Sequence, residues 1–147
     1  MNKKIRNAVR TYLIKDNKVV AIKYKQQASG YYDIPGGKIE SNETKEEASI
    51  REFKEETGMI VTKQHLIGNI YVEYPDRIFN FSVFAVDNYQ GAPLEFKENE
   101  AMWIDIDYLL NEQKTFPSVK AIKYLKDNID LKIECDNDHN ILNIIEK

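Results

Sequence analysis

Glu52, Glu55 and Glu56 fall at positions i, i+3 and i+4 of one short stretch, Arg51-Glu52-Phe53-Lys54-Glu55-Glu56-Thr57-Gly58-Met59. On a helix those three carboxylates share one face and repel one another. Glu55 and Glu56 would also lie in the last helical turn, where the backbone dipole disfavours negative charge. A solvated acidic face is the bland reading of such a run. Two local violations in one place are expected mainly at functional sites. A hard divalent cation removes both penalties. Mg²⁺ and Mn²⁺ prefer oxygen ligands, and Mg²⁺ commonly shares its site with substrate phosphates.

The flanking residues specify the elements that hold these carboxylates. Thr44-Lys45-Glu46-Glu47 reads as a capping box, with Glu47 reaching back to the Thr44 amide. Gly58 suits the left-handed residue that ends a helix. The signals predict a helix from about Lys45 to Thr57. At about 100° per residue, Phe53, Thr57 and Ile50 cluster on the side that packs on a sheet. The carboxylates fill an arc about 100° wide, roughly 140° from that cluster. Ala48, one turn before Glu52, leaves room on the same arc. Upstream, Tyr31-Tyr32-Asp33-Ile34-Pro35-Gly36-Gly37 reads as a short strand ending in a tight turn. Glycine there lets backbone approach a ligand closely.

Gly37, Glu43 and Arg51–Met59 together form the pattern G-x5-E-x7-R-E-U-x-E-E-x-G-U, where U is apolar. This resembles the signature of the Nudix hydrolases (MutT-like) at every defined position. At an average usage of about one in fifteen per residue type, such a match arises by chance on the order of 10⁻⁸ times per start point. The resemblance covers roughly Ile5 to Lys126 and is densest over 35–59. It implies an α/β fold, the Nudix-type α/β/α sandwich with a mixed central sheet. It also implies a metal-dependent pyrophosphohydrolase in which Glu52, Glu55, Glu56 and the Gly37 carbonyl hold Mg²⁺ (or Mn²⁺). The family's ion pair that fixes the loop against the helix is carried here by Glu43 and Arg51. Bound metal would lower the pKa of an attacking water. The implied substrate is a nucleoside diphosphate linked to another group; the short chain favours a nucleoside triphosphate or an oxidised nucleotide. Two other classes stay open: a non-catalytic nucleotide-binding or regulatory Nudix module, and a divalent-ion-binding protein without turnover. Regulatory modules usually lose box carboxylates, and this chain keeps them all. Family members are often dimers, so a homodimer is among the expectations.

Length and charge set the outer bounds. With 147 residues the chain is expected to be a single domain spanning 1–147. Net charge is −3 and the pI about 5.5, so there is no basic surplus to grip a long nucleic acid. A single cysteine, Cys135, cannot form an internal disulfide. No apolar run has the length of a membrane span or signal segment, so a soluble, cytoplasmic protein without a membrane partner is expected.

Along the chain, Ala8 to Lys25 reads as two strands around a Lys15-Asp16-Asn17-Lys18 turn. Ile60 to Val72 reads as extended, Tyr74-Pro75-Asp76-Arg77 as a turn, and Ile78 to Val86 as an alternating strand. Ala101 to Ile104 reads as a short strand and Ser118 to Lys126 as a helix after Pro117. The segment after Lys126 is open between helix and strand.

Family members often carry a further acidic residue before an apolar strand such as Met102-Trp103-Ile104. By that analogy Glu100 is the first candidate to complete the metal shell or take a proton, and Glu98 the second. Trp103 reads as core. Arg10, Tyr32 and Phe81 are candidate substrate-binding residues, on strands expected to flank the glycine loop; arginine binds phosphate and aromatics stack on bases. His65 and His139 have no partners at metal-ligand spacing and read as structural or exposed. Cys135-Asp136-Asn137-Asp138-His139 reads as a turn rather than a metal site.

Overall fold

Strand alternation splits the interior between two faces. On β1 (Lys4–Tyr12), Val9 joins Ala48 and Phe84 on one side, while Ala8 and Tyr12 join the main core on the other. The same alternation recurs on β7 (Arg77–Gln90): Phe84 points one way, Phe81 and Val83 the other. A strand buried on both faces needs cover on both, which is the logic of a layered α/β domain. A computed structural model describes residues 3–147.

The remaining elements are β2 (Ile14–Lys15), β3 (Lys18–Tyr24), β4 (Tyr32–Asp33), β5 (Gly36–Lys38), α1 (Lys45–Thr57), β6 (Ile60–Glu73), β8 (Asn99–Asp105), α2 (Ile106–Leu110), α3 (Pro117–Lys120), β9 (Ile129–Cys135) and β10 (Ile141–Glu146). A 3₁₀ turn spans Ala121–Tyr124. The central sheet is mixed, in the order β10-β9-β6-β7-β1-β5. Its parallel pairs are β1 with β7 and β6 with β9. A smaller antiparallel sheet sets β3 between β2, β4 and β8. Helix α1 covers one face through Ala48 and Phe53. Leu109 of α2, Val119 of α3 and Ala121 join the core on the other. The result is the expected α/β/α sandwich, with its strands divided between two sheets and one outer layer built of short helices.

Helix α1 begins and ends where its sequence dictates. Thr44 Oγ1 accepts the Glu47 amide at 3.1 Å, and Glu47 Oε1 accepts the Thr44 amide at 2.9 Å. Gly58 takes φ 79° and donates to the Lys54 carbonyl. Buried polar contacts fix the helix on the strands: Ser49 Oγ lies 2.6 Å from Thr11 Oγ1 and donates to Gln64 Oε1. Thr44→Ala removes the hydroxyl that accepts the Glu47 amide but keeps the backbone amide that donates to Glu47 Oε1; it is expected to cost about 1 kcal/mol, read as a lowered urea midpoint with unchanged slope.

Two expectations change, and one segment left open takes a form. Ile50 is exposed; the face that packs inward is Ala48, Ser49, Phe53 and Thr57, so Ala48 fills the interior rather than leaving room beside the carboxylates. The segment expected as a helix over Ser118–Lys126 is α3 followed by the 3₁₀ turn, which ends at Leu125 in extended backbone. The segment after Lys126 is the hairpin β9–β10, which extends the central sheet beyond β6.

Candidate active site

The glycine bend and α1 meet at two points. Gly36 donates its amide to Glu56 Oε1 at 2.7 Å. A Cβ on Gly37 would sit 2.6 Å from Glu52 Oε2, so a side chain there would displace that carboxylate. Gly36 is more tightly constrained, because a Cβ there would fall 2.0 Å from the Val9 carbonyl oxygen, which belongs to the backbone. The bend itself is tied down by strand pairing between β1 and β5 and by the Thr11 amide, which donates to the Pro35 carbonyl. Glu52, Glu56 and the two glycines thus form one contiguous surface.

Arg51 organises that surface. Its Nε and a terminal nitrogen grip Glu43 at 2.9 and 2.5 Å, the two-point arrangement that suits guanidinium and carboxylate. The same terminal nitrogen donates to the Lys38 carbonyl, and the other reaches Glu52 Oε1 at 2.7 Å and Glu55 at 3.2 Å. The Arg51 hydrogen bonds pull the Glu43 carboxyl down to about 2. Glu43 therefore stays ionised as an anchor between loop and helix.

The other carboxyls behave oppositely. Burial pushes Glu56 up to about 8, against the lowering effect of the Gly36 amide and the Arg10 charge. Burial also raises Glu52, though Arg51 resists it. Glu55 is exposed at the mouth of a cavity of about 630 Å³, which Glu56, Glu98 and Tyr24 also line. Among the described residues, no three His, Cys, Asp or Glu side chains converge as a ready-made metal cage. Arg51 holds both Glu52 and Glu55 through one terminal nitrogen, and the Gly36 amide holds Glu56.

Glu98, not Glu100, faces this cavity. Glu100 pairs with Lys23 in the β8–β3 ladder and is exposed, whereas its neighbour Asn99 donates to the Glu56 carbonyl at 2.9 Å. Successive strand residues point to opposite faces, so Asn99 facing α1 turns Glu100 away. The preference for Glu100 over Glu98 is corrected accordingly.

The proposed pocket residues separate. Arg10 and Phe81 line a cavity of about 420 Å³ next to Gly37, but both are largely buried. The Arg10 guanidinium lies 4.3 Å from the Phe81 ring centroid, donates to Ser118 Oγ at 3.0 Å and approaches Asp33 at 3.4 Å. Tyr32 is 8% exposed in the main core and lines none of the described cavities. Tyr24 stands on the cleft wall instead, donating its hydroxyl to Asp33. Trp103 packs with Leu13, Val20 and Phe53, as core.

Tyr24 and Asp33 escaped the sequence reading. Asp33, 2% exposed, receives Arg10, the Tyr24 hydroxyl and the Ile34 amide; burial still raises its carboxyl above the ordinary range. A lone aspartate between two tyrosines and the Pro-Gly-Gly bend was the available signal. His139 sits at a cavity wall, while His65 is exposed beside Asp87.

The NUDIX domain matches residues 4–125. The chain belongs to the Nudix family. It is 36% identical over 91 residues to an oxidized purine nucleoside triphosphate hydrolase of Danio rerio, covering 60% of this chain and 58% of that one. It is 38% identical over 73 residues to an 8-oxo-dGTP diphosphatase of Proteus vulgaris, covering 50% and 65%. Over 71 residues it is 46% identical to an ADP-ribose pyrophosphatase of Methanocaldococcus jannaschii, covering 48% and 41%. The chain spans less than two thirds of the length of each of these relatives. In fold, this Nudix chain resembles the MutT protein of Bacillus halodurans with a TM-score of 0.79 over 97% of both chains, at 19% identity. No described helix is long and apolar enough to cross a membrane.

Proposed function

We propose that this Nudix chain is a divalent-cation-dependent hydrolase that cleaves a phosphoanhydride of an oxidised purine nucleoside triphosphate, giving the monophosphate and pyrophosphate. The observation that carries the proposal is the contact surface of Glu52 and Glu56 with the Gly36–Gly37 bend, flanked by cavities on both sides. The names of the relatives from Danio rerio and Proteus vulgaris support the substrate class.

The donor set fits a hard cation, because every candidate ligand is oxygen: Glu52, Glu55, Glu56 and the Gly37 carbonyl. Bound there, Mg²⁺ or Mn²⁺ would neutralise phosphate charge and acidify a water. The chain's own residues do the rest. Arg51 and Glu43 hold the loop against α1. Gly36 and Gly37 keep the backbone close: a Cβ on Gly36 would meet the Val9 backbone, and one on Gly37 would push the Glu52 carboxylate aside. A carboxylate of the set, with Glu98 across the cavity, accepts the proton of the attacking water. The base is assigned to the cavity of about 190 Å³ lined by Asp33, Phe79, Phe81 and Phe116, which adjoins both larger cavities through Arg10, Tyr24 and shared aromatic walls. Phe79 and Phe81 stack there with centroids 5.5 Å apart and planes 5° apart, and the Arg10 guanidinium lies 4.3 Å from the Phe81 centroid, so aromatic edges and a cation line the space proposed for the purine.

A nucleotide panel tests this reading: 8-oxo-dGTP, dGTP and ADP-ribose, each with Mg²⁺ and with chelator. Mg²⁺-dependent release of nucleoside monophosphate, fastest from 8-oxo-dGTP and there accompanied by pyrophosphate, is the expected result. Faster cleavage of ADP-ribose would favour the activity named for the Methanocaldococcus jannaschii relative. A silent panel with tight nucleotide binding would make the protein a binding module. Within the site, Glu98→Gln is expected to lower kcat/KM about tenfold or more, about 1.4 kcal/mol. Glu100→Gln is expected to leave it within about twofold. Equal losses for both would return the role to Glu100.

A further inference from the structure

The matched NUDIX domain ends at residue 125, yet the hairpin β9–β10 beyond it reaches back to the candidate site. Its turn is braced from within. The Asp136 carboxylate accepts the amides of Asp138 and Asn140 and the Asn140 side-chain amide, and the Asp136 carbonyl accepts the His139 amide. These bonds present His139 at φ 67°, a left-handed conformation in which histidine is enriched. The imidazole then lodges among aromatic rings. Its centroid lies 4.3 Å from Phe116, 5.5 Å from Tyr74 and 5.9 Å from Tyr31, and its Nδ1 is 2.8 Å from the Tyr74 hydroxyl.

On one side of this ring is the cavity of about 190 Å³ that holds Asp33 and the Phe79–Phe81 stack. On the other is a separate cavity of about 440 Å³ bounded by Leu110, Glu112, Lys120 and Ile141. His139 is the residue the two linings share. Burial lowers its pKa, so the ring stands there neutral near pH 7.

We propose that His139 is a specificity-determining partition: its ring closes the far end of the base cavity and restricts the enzyme to purines without bulky substituents. The proposal rests on the hydrolase reading and on the base lying beside Asp33. Removing the ring would merge the two cavities and admit a base carrying an extended group. The phosphate end, on the Glu56 side of Tyr24, would be untouched.

The test compares kcat and KM for dGTP, 8-oxo-dGTP and a set of dGTP and dATP analogues carrying N2-, N6- or O6-benzyl groups. His139→Gly suits the positive φ and so leaves the turn intact. His139→Asn also tolerates that conformation and retains part of the volume. Thermal midpoints of both variants report folding separately from selectivity. For His139→Gly, at least one benzylated substrate should gain about tenfold or more in kcat/KM relative to dGTP, through KM, a size that pocket shape commonly sets. His139→Asn should fall between wild type and His139→Gly. If both variants fold and hydrolyse dGTP or 8-oxo-dGTP yet keep the wild-type ratio for every analogue, the partition is overturned and the hydrolase reading stands. If wild type itself hydrolyses no nucleotide, the hydrolase reading falls and the partition falls with it.

Discussion

Glu56→Gln is expected to fold normally and to lose about 10²–10⁴-fold in kcat with Mg²⁺ present. The fold should survive because the glutamine carbonyl can still accept the Gly36 amide that Glu56 Oε1 accepts at 2.7 Å. The substitution also removes a carboxyl that burial makes costly to ionise. What it removes from the chemistry is a negative oxygen at the meeting of helix and glycine bend. Steady-state pyrophosphate release, with a melting curve as control, measures both parts. Near-normal turnover in a folded Glu56→Gln protein would take Glu56 out of the mechanism.

The second large effect is in stability, and it runs against intuition for an acidic protein. In excess chelator, stability should fall as pH rises from about 4.5 to about 8. An unfolded Glu56 titrates near 4.5 and the folded one near 8. Below that window both states hold the proton and the contribution is fully present. Inside it, the unfolded chain has released a proton that the folded protein keeps, so rising pH favours unfolding. Above it both are ionised and the loss is complete, on the order of a few kcal/mol. Glu52 shifts in the same direction and adds to the trend. Glu43 acts in a different window: held down to about 2 by Arg51, it contributes stability above about 4.5 that is lost as pH falls. Added Mg²⁺ should restore stability on the alkaline side by mass action, because it binds the ionised carboxylates. Urea midpoints at pH 5, 6.5 and 8.5, with Mg²⁺ and with chelator, check this. Glu56→Gln should exceed wild type at pH 8.5 in chelator. Parallel curves for the two proteins would remove Glu56 as the cause.

Much of the site was legible because its signals are local. The Thr44–Glu47 cap, the Gly58 stop and the i, i+3, i+4 carboxylates are set by residues within one or two turns. The Arg51–Glu43 pair was carried from a family resemblance, and the two-point contact is present. What escaped depends on partners distant in sequence. Ile50 could not be told from an inward residue without knowing that Ser49 meets Thr11 and Gln64 across the sheet. Tyr24 rather than Tyr32 lines the cleft because strand register, not composition, decides which tyrosine reaches it. Glu98 and Glu100 differ by a loop geometry fixed by the ladder of β3 with β8. The terminal hairpin pairs with β6 from some 60 residues away, and only that pairing brings His139 to the cavity wall.

In the proposed mechanism the acidic stripe of α1, set against the glycine bend, binds a divalent cation and thereby drives phosphoanhydride cleavage. The most direct test is the rate of 8-oxo-dGTP hydrolysis against free Mg²⁺, from chelator upward, for wild type and the Glu52→Gln, Glu55→Gln, Glu56→Gln triple variant. Wild type should show a saturating rise from a near-zero baseline, and a folded triple variant a flat, near-zero line. Hydrolysis that persists in chelator, or a triple variant that follows the wild-type curve, would contradict this mechanism.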